Sequence, residues 1–140
     1  MRNRTLFEVA KELNERNEEY CLIHEAALTS WNLNNSLFLH AIDILVPSVR
    51  FKNSVERLGP NVSIRYHASL AGKTFEEIEK VKSEQYDCLV AEPFAVLEGL
   101  EESPDLQYLY EQRARLAATL YVHDLSDEDL AVFKKYVRGL

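Results

Sequence analysis

The chain has 140 residues, of which 46% are hydrophobic and 28% are charged, so it can bury the core of one globular domain. Its 23 acidic and 16 basic residues give a formal net charge of −7. Because no long basic run occurs, general binding of nucleic acid over the surface is disfavoured. No apolar stretch reaches membrane-spanning length, and the basic first residues lead directly into an amphipathic pattern. We therefore expect a single cytoplasmic domain over residues 1–140, without contact to a membrane.

The first part of the chain predicts a helix, a strand and a second helix. Thr5–Asn17 carries apolar residues at helical spacing, and Thr5 with Glu8 has the pattern of a capping box. Tyr20–Ile23 is a short apolar run typical of a buried strand, and Glu25–Leu33 again shows helical periodicity. The asparagine-rich residues that follow predict a turn.

The middle of the chain predicts two more strands around a helix. His40–Val46 is an apolar run that ends at Pro47 and contains Asp43 as its only charge. Ser48–Leu58 fits a helix that begins with a serine cap. A turn of glycine, proline and asparagine follows, and Val62–Tyr66 then alternates apolar and polar residues as a half-exposed strand does.

The last part of the chain is richer in helices. Residues 74–81 fit a short amphipathic helix opened by a second capping box, although a strand hairpin fits the preceding glycine turn almost as well. Tyr86–Ala91 is typical of a buried strand, and Pro93 suits the first turn of the next helix. Leu106–Val122 predicts the longest helix, and Ser126 caps a final one. The pattern predicts an α/β (α+β) domain, with a small mixed sheet of about four strands, flanking helices and a C-terminal helical segment.

A family resemblance rests on the order of these pieces. The motif H-E-A-A-L-T-S-W-N-L at residues 24–33 follows a strand, and A-I-D-I-L-V at residues 41–46 lies in the next one. This order resembles the minimal nucleotidyltransferase domain, which is found in cytosolic nucleotidyltransferases and in toxins of abortive-infection toxin–antitoxin systems. Leu89–Leu97, Glu111–Leu120 and Leu125–Val137 are similar to the late strand and closing helices of that family. The resemblance implies a nucleotidyltransferase-like fold.

Three positions depart from the family pattern, and each bears on catalysis. His24 and Glu25 stand where the family has a glycine pair, which lets a nucleotide phosphate approach the backbone. In place of Asp-x-Asp the chain has Ala41-Ile42-Asp43, and residues 63–67 supply no third acid. Two carboxylates on one strand face hold the metal pair for phosphoryl transfer. The resemblance therefore implies a domain that has lost catalysis and binds neither metal nor cofactor.

A second family shares parts of the pattern. Antitoxins of the transcriptional-regulator type, the partners of those toxins, have a C-terminal domain that begins with Ala-Leu and continues into a strand ending in proline. Ala27–Leu33 and Ile42–Pro47 are similar to these two pieces. Such antitoxins also carry a winged-helix DNA-binding domain in front, so on this resemblance the chain would correspond to the C-terminal domain alone.

Five residues are candidates for one pocket, because two of them follow a strand end, where α/β folds place ligands. They are His24, Glu25, Asp43, Arg65 and His67. Asp43 has two interpretations: a metal ligand that remains from catalysis, or a structural residue that caps a loop or pairs with Arg65. If the domain is active, an atypical magnesium site would be built on Asp43, Glu25 and Glu92.

Because the catalytic pattern is incomplete, we expect function to lie on a protein-binding surface. The long C-terminal helix combines tyrosine and arginine, the types enriched at interface hot spots. The candidate interface residues are Tyr108, Tyr110, Arg113, Arg115 and Tyr121. The expected function is a pseudoenzyme that binds another protein or a second copy of itself, in a toxin–antitoxin or phage-defence setting. Two alternatives stay open: an active nucleotidyltransferase, and a nucleic-acid-binding regulator, which the acidic balance disfavours.

Overall fold

A computed structural model of the chain describes residues 4–31, 39, 41–47 and 55–101, and within them three helices and six strands form an α+β fold. The helices are α1 (Arg4–Glu15), α2 (His24–Ser30) and α3 (Pro93–Glu101). The strands are β1 (Cys21–Leu22), β2 (Ala41–Leu45), β3 (Val55–Gly59), β4 (Val62–His67), β5 (Lys80–Ser83) and β6 (Cys88–Ala91). None of the helices in these residues is long and apolar enough to cross a membrane.

The six described strands belong to one mixed sheet with the order β3-β4-β2-β1-β6-β5. β1 is antiparallel to β2 and parallel to β6, while β2 and β4 are parallel to each other. Each edge strand is antiparallel to its neighbour. The expectation that the four predicted strands form one mixed sheet is confirmed. The predicted strand number is too low, because β3 and β5 extend the sheet at both edges.

Some predicted elements lie wholly or partly outside the described residues. These are the C-terminal helical segment after residue 101, His40 at the start of the second predicted strand, and residues 48–54 of the helix predicted over Ser48–Leu58. The helix predicted over Glu25–Leu33 is described as α2 from His24 to Ser30.

The helix predicted over Ser48–Leu58 is wrong for residues 55–58, which lie in β3. Their side chains alternate between exposed and partly buried, so the period in this segment is two and not 3.6. The turn at Pro60 and Asn61 folds β3 back antiparallel to β4. Strand pairing therefore supplies the backbone hydrogen bonds that a helix would otherwise make.

The helix predicted at residues 74–81 is also wrong beyond its first turn. Thr74 donates hydrogen bonds from its backbone N–H and its hydroxyl to Oε1 of Glu77, at 3.0 and 2.9 Å, so a capping contact does form. Lys80–Ser83 nevertheless becomes β5 and pairs with β6. Its K-V-K-S sequence also alternates with period two, and the pairing with β6 decides between the two conformations.

α1 packs against the sheet through the apolar stripe that the sequence predicts. Its buried residues are Leu6, Val9, Ala10 and Leu13. The hydroxyl of Tyr20 donates to Oδ1 of Asn14 at 2.9 Å, and Nη1 of Arg16 donates to both carboxylate oxygens of Glu56 on β3, at 2.9 and 2.8 Å. α1 begins at Arg4, so Thr5 lies inside the helix and not at the predicted cap position.

The register of β2 and β4 gives the two faces of the sheet different characters. Ile42 and Ile64 are register partners and are fully buried. α1 lies over this face, since Arg16, the residue after α1, forms an ion pair with Glu56, the register partner of Ile64 on β3. Asp43 and Arg65 are the next partners along β2 and β4, so their side chains lie on the opposite face.

Ala71 and Gly72 form a two-residue loop in which both residues have positive φ, 51° and 78°. Leu70 and Lys73 close the loop by exchanging backbone hydrogen bonds at 2.8 and 2.9 Å. The sequence alternative of a hairpin at this glycine is therefore closer to the structure than the helix. Both residues have the positive φ of a type I′ turn, which favours Asn-Gly, and alanine is strained in the left-handed region.

We expect Ala71→Asn to raise the free energy of unfolding by about 0.5–1 kcal/mol, because asparagine tolerates the left-handed conformation. Urea denaturation of the variant and the parent protein measures the difference. Gly72→Ala is the matched control and should lower stability, since it introduces the strain that Ala71→Asn relieves. A less stable Ala71→Asn variant would contradict this account of the loop.

Candidate functional site

β2 and β4 place three polar side chains in contact on the face opposite α1. Asp43 is the register partner of Arg65, and His67 lies two residues further along the same face of β4. The Asp43 side chain is 1% exposed. Arg65 donates from Nε to Oδ1 and from Nη2 to Oδ2 of this carboxylate, both at 2.8 Å. Asp43 therefore pairs with Arg65, as the structural interpretation of this residue expects.

His67 completes the contacts of the carboxylate. Its Nε2 lies 2.8 Å from Oδ1 of Asp43. Because an ionised carboxylate only accepts hydrogen bonds, this nitrogen carries the proton and donates it. Burial by itself raises the pKa of Asp43, but hydrogen bonds from His67 and Arg65 outweigh it and hold the pKa below its ordinary value. Asp43 is thus a buried anion whose charge is balanced by its neighbours.

His24 lies beside this group, at the junction of β1 and α2. Its φ of 51° falls in the left-handed region that favours glycine. Its ring meets the ring of His67 edge to face, with the centroids 5.3 Å apart. Burial lowers the pKa of His24 to about 4, although the negative charge of Asp43 opposes the shift. His24 is therefore neutral at neutral pH.

One ring nitrogen of His24 has no hydrogen-bond partner. Among the residues that the structure describes, Nδ1 of His24 is the one buried side-chain nitrogen or oxygen without a partner. The residue as a whole is only 8% exposed. An unpartnered buried polar atom and a left-handed residue other than glycine each cost free energy, and such costs cluster at functional sites. Both occur at His24, which makes the β1–α2 junction a strained point of the fold.

α3 and Leu70 enclose the His24 ring. A Cβ atom at Gly99 would overlap Cδ1 of Leu70 and would lie 3.3 Å from Cε1 of His24, so a glycine fits this position best. Sequence reasoning missed both Gly99 and Leu70. The available signal was a single glycine inside an otherwise apolar helix, which usually has a packing reason.

The other two acids considered for an atypical metal site have separate surroundings. Glu25 lies in the first turn of α2 and is partly exposed. Glu92 follows β6, and its carboxylate oxygens accept backbone hydrogen bonds from Phe94 at 3.0 Å and Ala95 at 2.7 Å. Glu92 therefore caps the N-terminus of α3. In the sheet, β1 lies between β6, the strand that Glu92 follows, and β2, the strand that carries Asp43.

Four of the five residues predicted for one pocket come together in the structure: His24, Asp43, Arg65 and His67. That they act as a site stays a prediction. In the described part of the chain, no group of three or more His, Cys, Asp or Glu residues is arranged to hold a metal ion. The predicted interface residues lie outside the described residues; they are Tyr108, Tyr110, Arg113, Arg115 and Tyr121.

Comparisons with known proteins identify no relative. No protein-family model matches the chain. No curated protein matches it, and no solved structure does. The likeness to nucleotidyltransferase domains therefore stays a resemblance in the order of sequence motifs, and the geometry around Asp43 is the principal guide to function.

Arg65→Met removes the main compensating charge from a buried carboxylate. We expect it to lower the free energy of unfolding by about 2 kcal/mol, since an unpaired buried charge costs more than the pair contributes. Asp43→Asn in the same chain removes the charge that is left unpaired, so the double variant should lose less than the sum of the single losses. Urea denaturation of the four proteins gives the coupling energy. Additive losses would show that the two side chains do not depend on each other.

The low pKa of His24 predicts a loss of stability in acid. Its pKa of about 4 in the folded state lies below the ordinary value near 6.5, so between these pH values the unfolded chain binds a proton that the folded protein excludes. Stability should fall by about 3 kcal/mol as the pH drops through this range. Asp43, whose pKa is lowered from its ordinary value, loses its contribution only below about pH 4.

The variant His24→Asn tests this expectation, because asparagine tolerates the left-handed conformation and does not titrate. Urea midpoints measured from pH 7.5 to 4 should fall more steeply for the parent protein than for the variant. The comparison concerns slopes, so a constant stability difference between the two proteins does not affect it. Equal slopes would mean that His24 titrates normally in the folded protein.

Proposed function

We propose that this chain is a non-catalytic nucleotidyltransferase-like domain that acts by binding another protein. The inference that catalysis has been lost rests on the contact between Asp43 and Arg65, in which a guanidinium holds both oxygens of the buried carboxylate. Asp43 stands in the strand where the resembling family has its acid pair. The residue directly opposite on β4 is an arginine and not an acid.

The charge balance at this place opposes metal-assisted phosphoryl transfer. A metal pair in such chemistry is held by several carboxylates, which share its positive charge. Here one carboxylate is already neutralised by a fixed cation, and a divalent ion approaching Asp43 would meet the positive charge of Arg65. Arg65 thus supplies the compensation that a metal would supply in an active domain.

The turn at His24 supports the same proposal. In the resembling family a glycine pair occupies this turn, and glycine adopts the left-handed conformation without steric cost. His24 keeps that conformation with φ 51°, yet fills the space above the turn with a buried ring. A retained backbone shape without the room for a phosphate is consistent with a domain that kept the architecture and lost the reaction.

Protein binding follows as the proposed role because a domain without catalysis acts through its surface. The net charge of −7 disfavours nucleic acid as the partner. The first resembling family includes toxins of toxin–antitoxin systems, and the second consists of their antitoxin partners. A protein partner in a toxin–antitoxin or phage-defence setting is therefore the proposed context. A second copy of the chain is the other protein partner that remains open.

We expect the purified chain to transfer no nucleotide. The measurement is incubation with labelled nucleoside triphosphates, magnesium or manganese, and RNA, DNA and protein acceptors, followed by separation of the products. Asp43→Ala is the control: transfer by the parent protein that disappears in this variant would establish the active alternative with its atypical metal site.

The binding half of the proposal has its own measurement. Co-expression with the products of adjacent genes, followed by native mass spectrometry, should show a complex of defined stoichiometry. A chain that stays monomeric with each of them would contradict protein binding, whatever the transfer assay shows.

A further inference from the structure

The outer side of the β3–β4 hairpin carries the Asp43-contacting residues Arg65 and His67 together with neighbours that lie outside that cluster. In the register, Val55 pairs with Arg65 and Arg57 pairs with Ser63. Register partners share a face, and His67 lies on the same face because it is two residues beyond Arg65. We name the surface formed by these five residues the outer hairpin face. It is the side of the hairpin opposite α1.

This face is open to solvent. Val55 is 53% exposed and is one of two large hydrophobic residues exposed within the described part of the chain. Arg57 is exposed, and the Arg65 side chain is 47% exposed. A shallow hollow of about 390 Å³ lies beside them; it is lined by Val55, Arg57, Pro60, Asn61, Val62 and Ser63. Arginine is one of the residue types enriched at protein interfaces, and two arginines lie beside Val55 on this face.

Charge is sorted between the two sides of the hairpin. The hairpin strands contain one acid, Glu56, and it lies on the opposite face, where it binds Arg16 and accepts a hydrogen bond from Tyr66. On the outer side, the acid that the structure shows in contact with the hairpin is Asp43 of β2, which is buried and compensated by Arg65. The outer hairpin face therefore carries the positive charge of Arg57 beside the Arg65 guanidinium that Asp43 compensates, on a chain whose formal net charge is −7.

We propose that the outer hairpin face binds an extended acidic segment of the partner protein. This rests on the proposed function and names its surface. Arg57 and Arg65 are diagonal neighbours across the two strands, which places them about 7 Å apart. Alternate side chains of an extended segment have nearly the same spacing, about 7 Å. Two carboxylates separated by one residue lie on the same side of an extended segment and therefore reach both guanidinium groups.

The arginines are held ready for such contacts. Arg65 is fixed in plane by its two hydrogen bonds to Asp43, and Nη2 of Arg57 donates to the carbonyl of Pro60 at 3.0 Å. A guanidinium that is already positioned loses less conformational freedom when it binds a carboxylate. Asp43 thus acts as a positioning residue for Arg65.

The probe is a fluorescein-labelled dodecapeptide with D-V-D-L-D at its centre, and binding to the full chain is followed by fluorescence anisotropy at low salt. We expect saturable binding that Arg57→Glu weakens about tenfold or more, because charge reversal at a close pair replaces attraction by repulsion. Lys11→Glu on the exposed surface of α1 makes the same change in net charge and should alter the affinity by less than about twofold. A peptide with N-V-N-L-N should not bind. Arg57→Ala serves if Arg57→Glu fails to fold by circular dichroism.

Four outcomes would overturn the proposal: no binding of the acidic peptide, equal weakening by Arg57→Glu and Lys11→Glu, tighter binding of single-stranded DNA of matched charge, or a dimer in light scattering that Arg57→Glu dissociates. The second would show a general charge effect, the third a nucleic-acid site, and the fourth a contact between copies. If the peptide fails while the chain forms a complex with its partner and transfers no nucleotide, only this surface is wrong and the proposed function stands.

Discussion

The buried charge of Asp43 is the constraint on which the centre of the fold depends. A carboxylate that is 1% exposed is stable only with partners for its charge and its hydrogen-bonding capacity, and Arg65 and His67 provide both. Arg65 and His67 both reach the Asp43 carboxylate only in the observed register of β2 and β4. A slip of one residue would turn Arg65 to the face of α1 and leave the carboxylate unpaired. The ionic cluster therefore specifies strand register as well as local charge.

The same cluster explains why the β1–α2 junction is strained. His24 must turn its ring toward His67 and below α3, and it does so from a left-handed backbone with one nitrogen unpartnered. Gly99 makes room for this arrangement, because a side chain there would collide with Leu70. These contacts join β1, β4, α3 and the loop at Leu70 around one ring. Their cost is offset by the apolar burial around them, where Ile23, Leu70 and Leu97 are fully buried.

The elements that could be predicted from the sequence are those whose signal is local. The stripe of α1 and the apolar runs of β2 and β6 follow from periodicity, and Asp43 with Arg65 could be paired because both lie in neighbouring predicted strands. β3 and β5 could not be predicted as strands, since V-E-R-L-G and K-V-K-S are short and polar enough to fit a helix. Only their pairing with β4 and β6 settles their conformation. The sequence placed His67 in the pocket but did not predict its hydrogen bond to Asp43. The packing of Gly99 against Leu70 depends on distances between separate elements, which no sequence spacing encodes.

β1 has only two residues, yet it lies between β2 and β6 and joins β3-β4-β2 to β6-β5. Its register is two residue pairs on each side, so few backbone hydrogen bonds cross the middle of the sheet. Cohesion there comes from side-chain burial, because Cys21 and Leu22 are both fully buried. A sheet that is joined through so few backbone hydrogen bonds depends at its middle on how well two side chains pack. We therefore expect a smaller side chain at Leu22 to weaken the connection between the two halves of the sheet more than its backbone pairing would suggest.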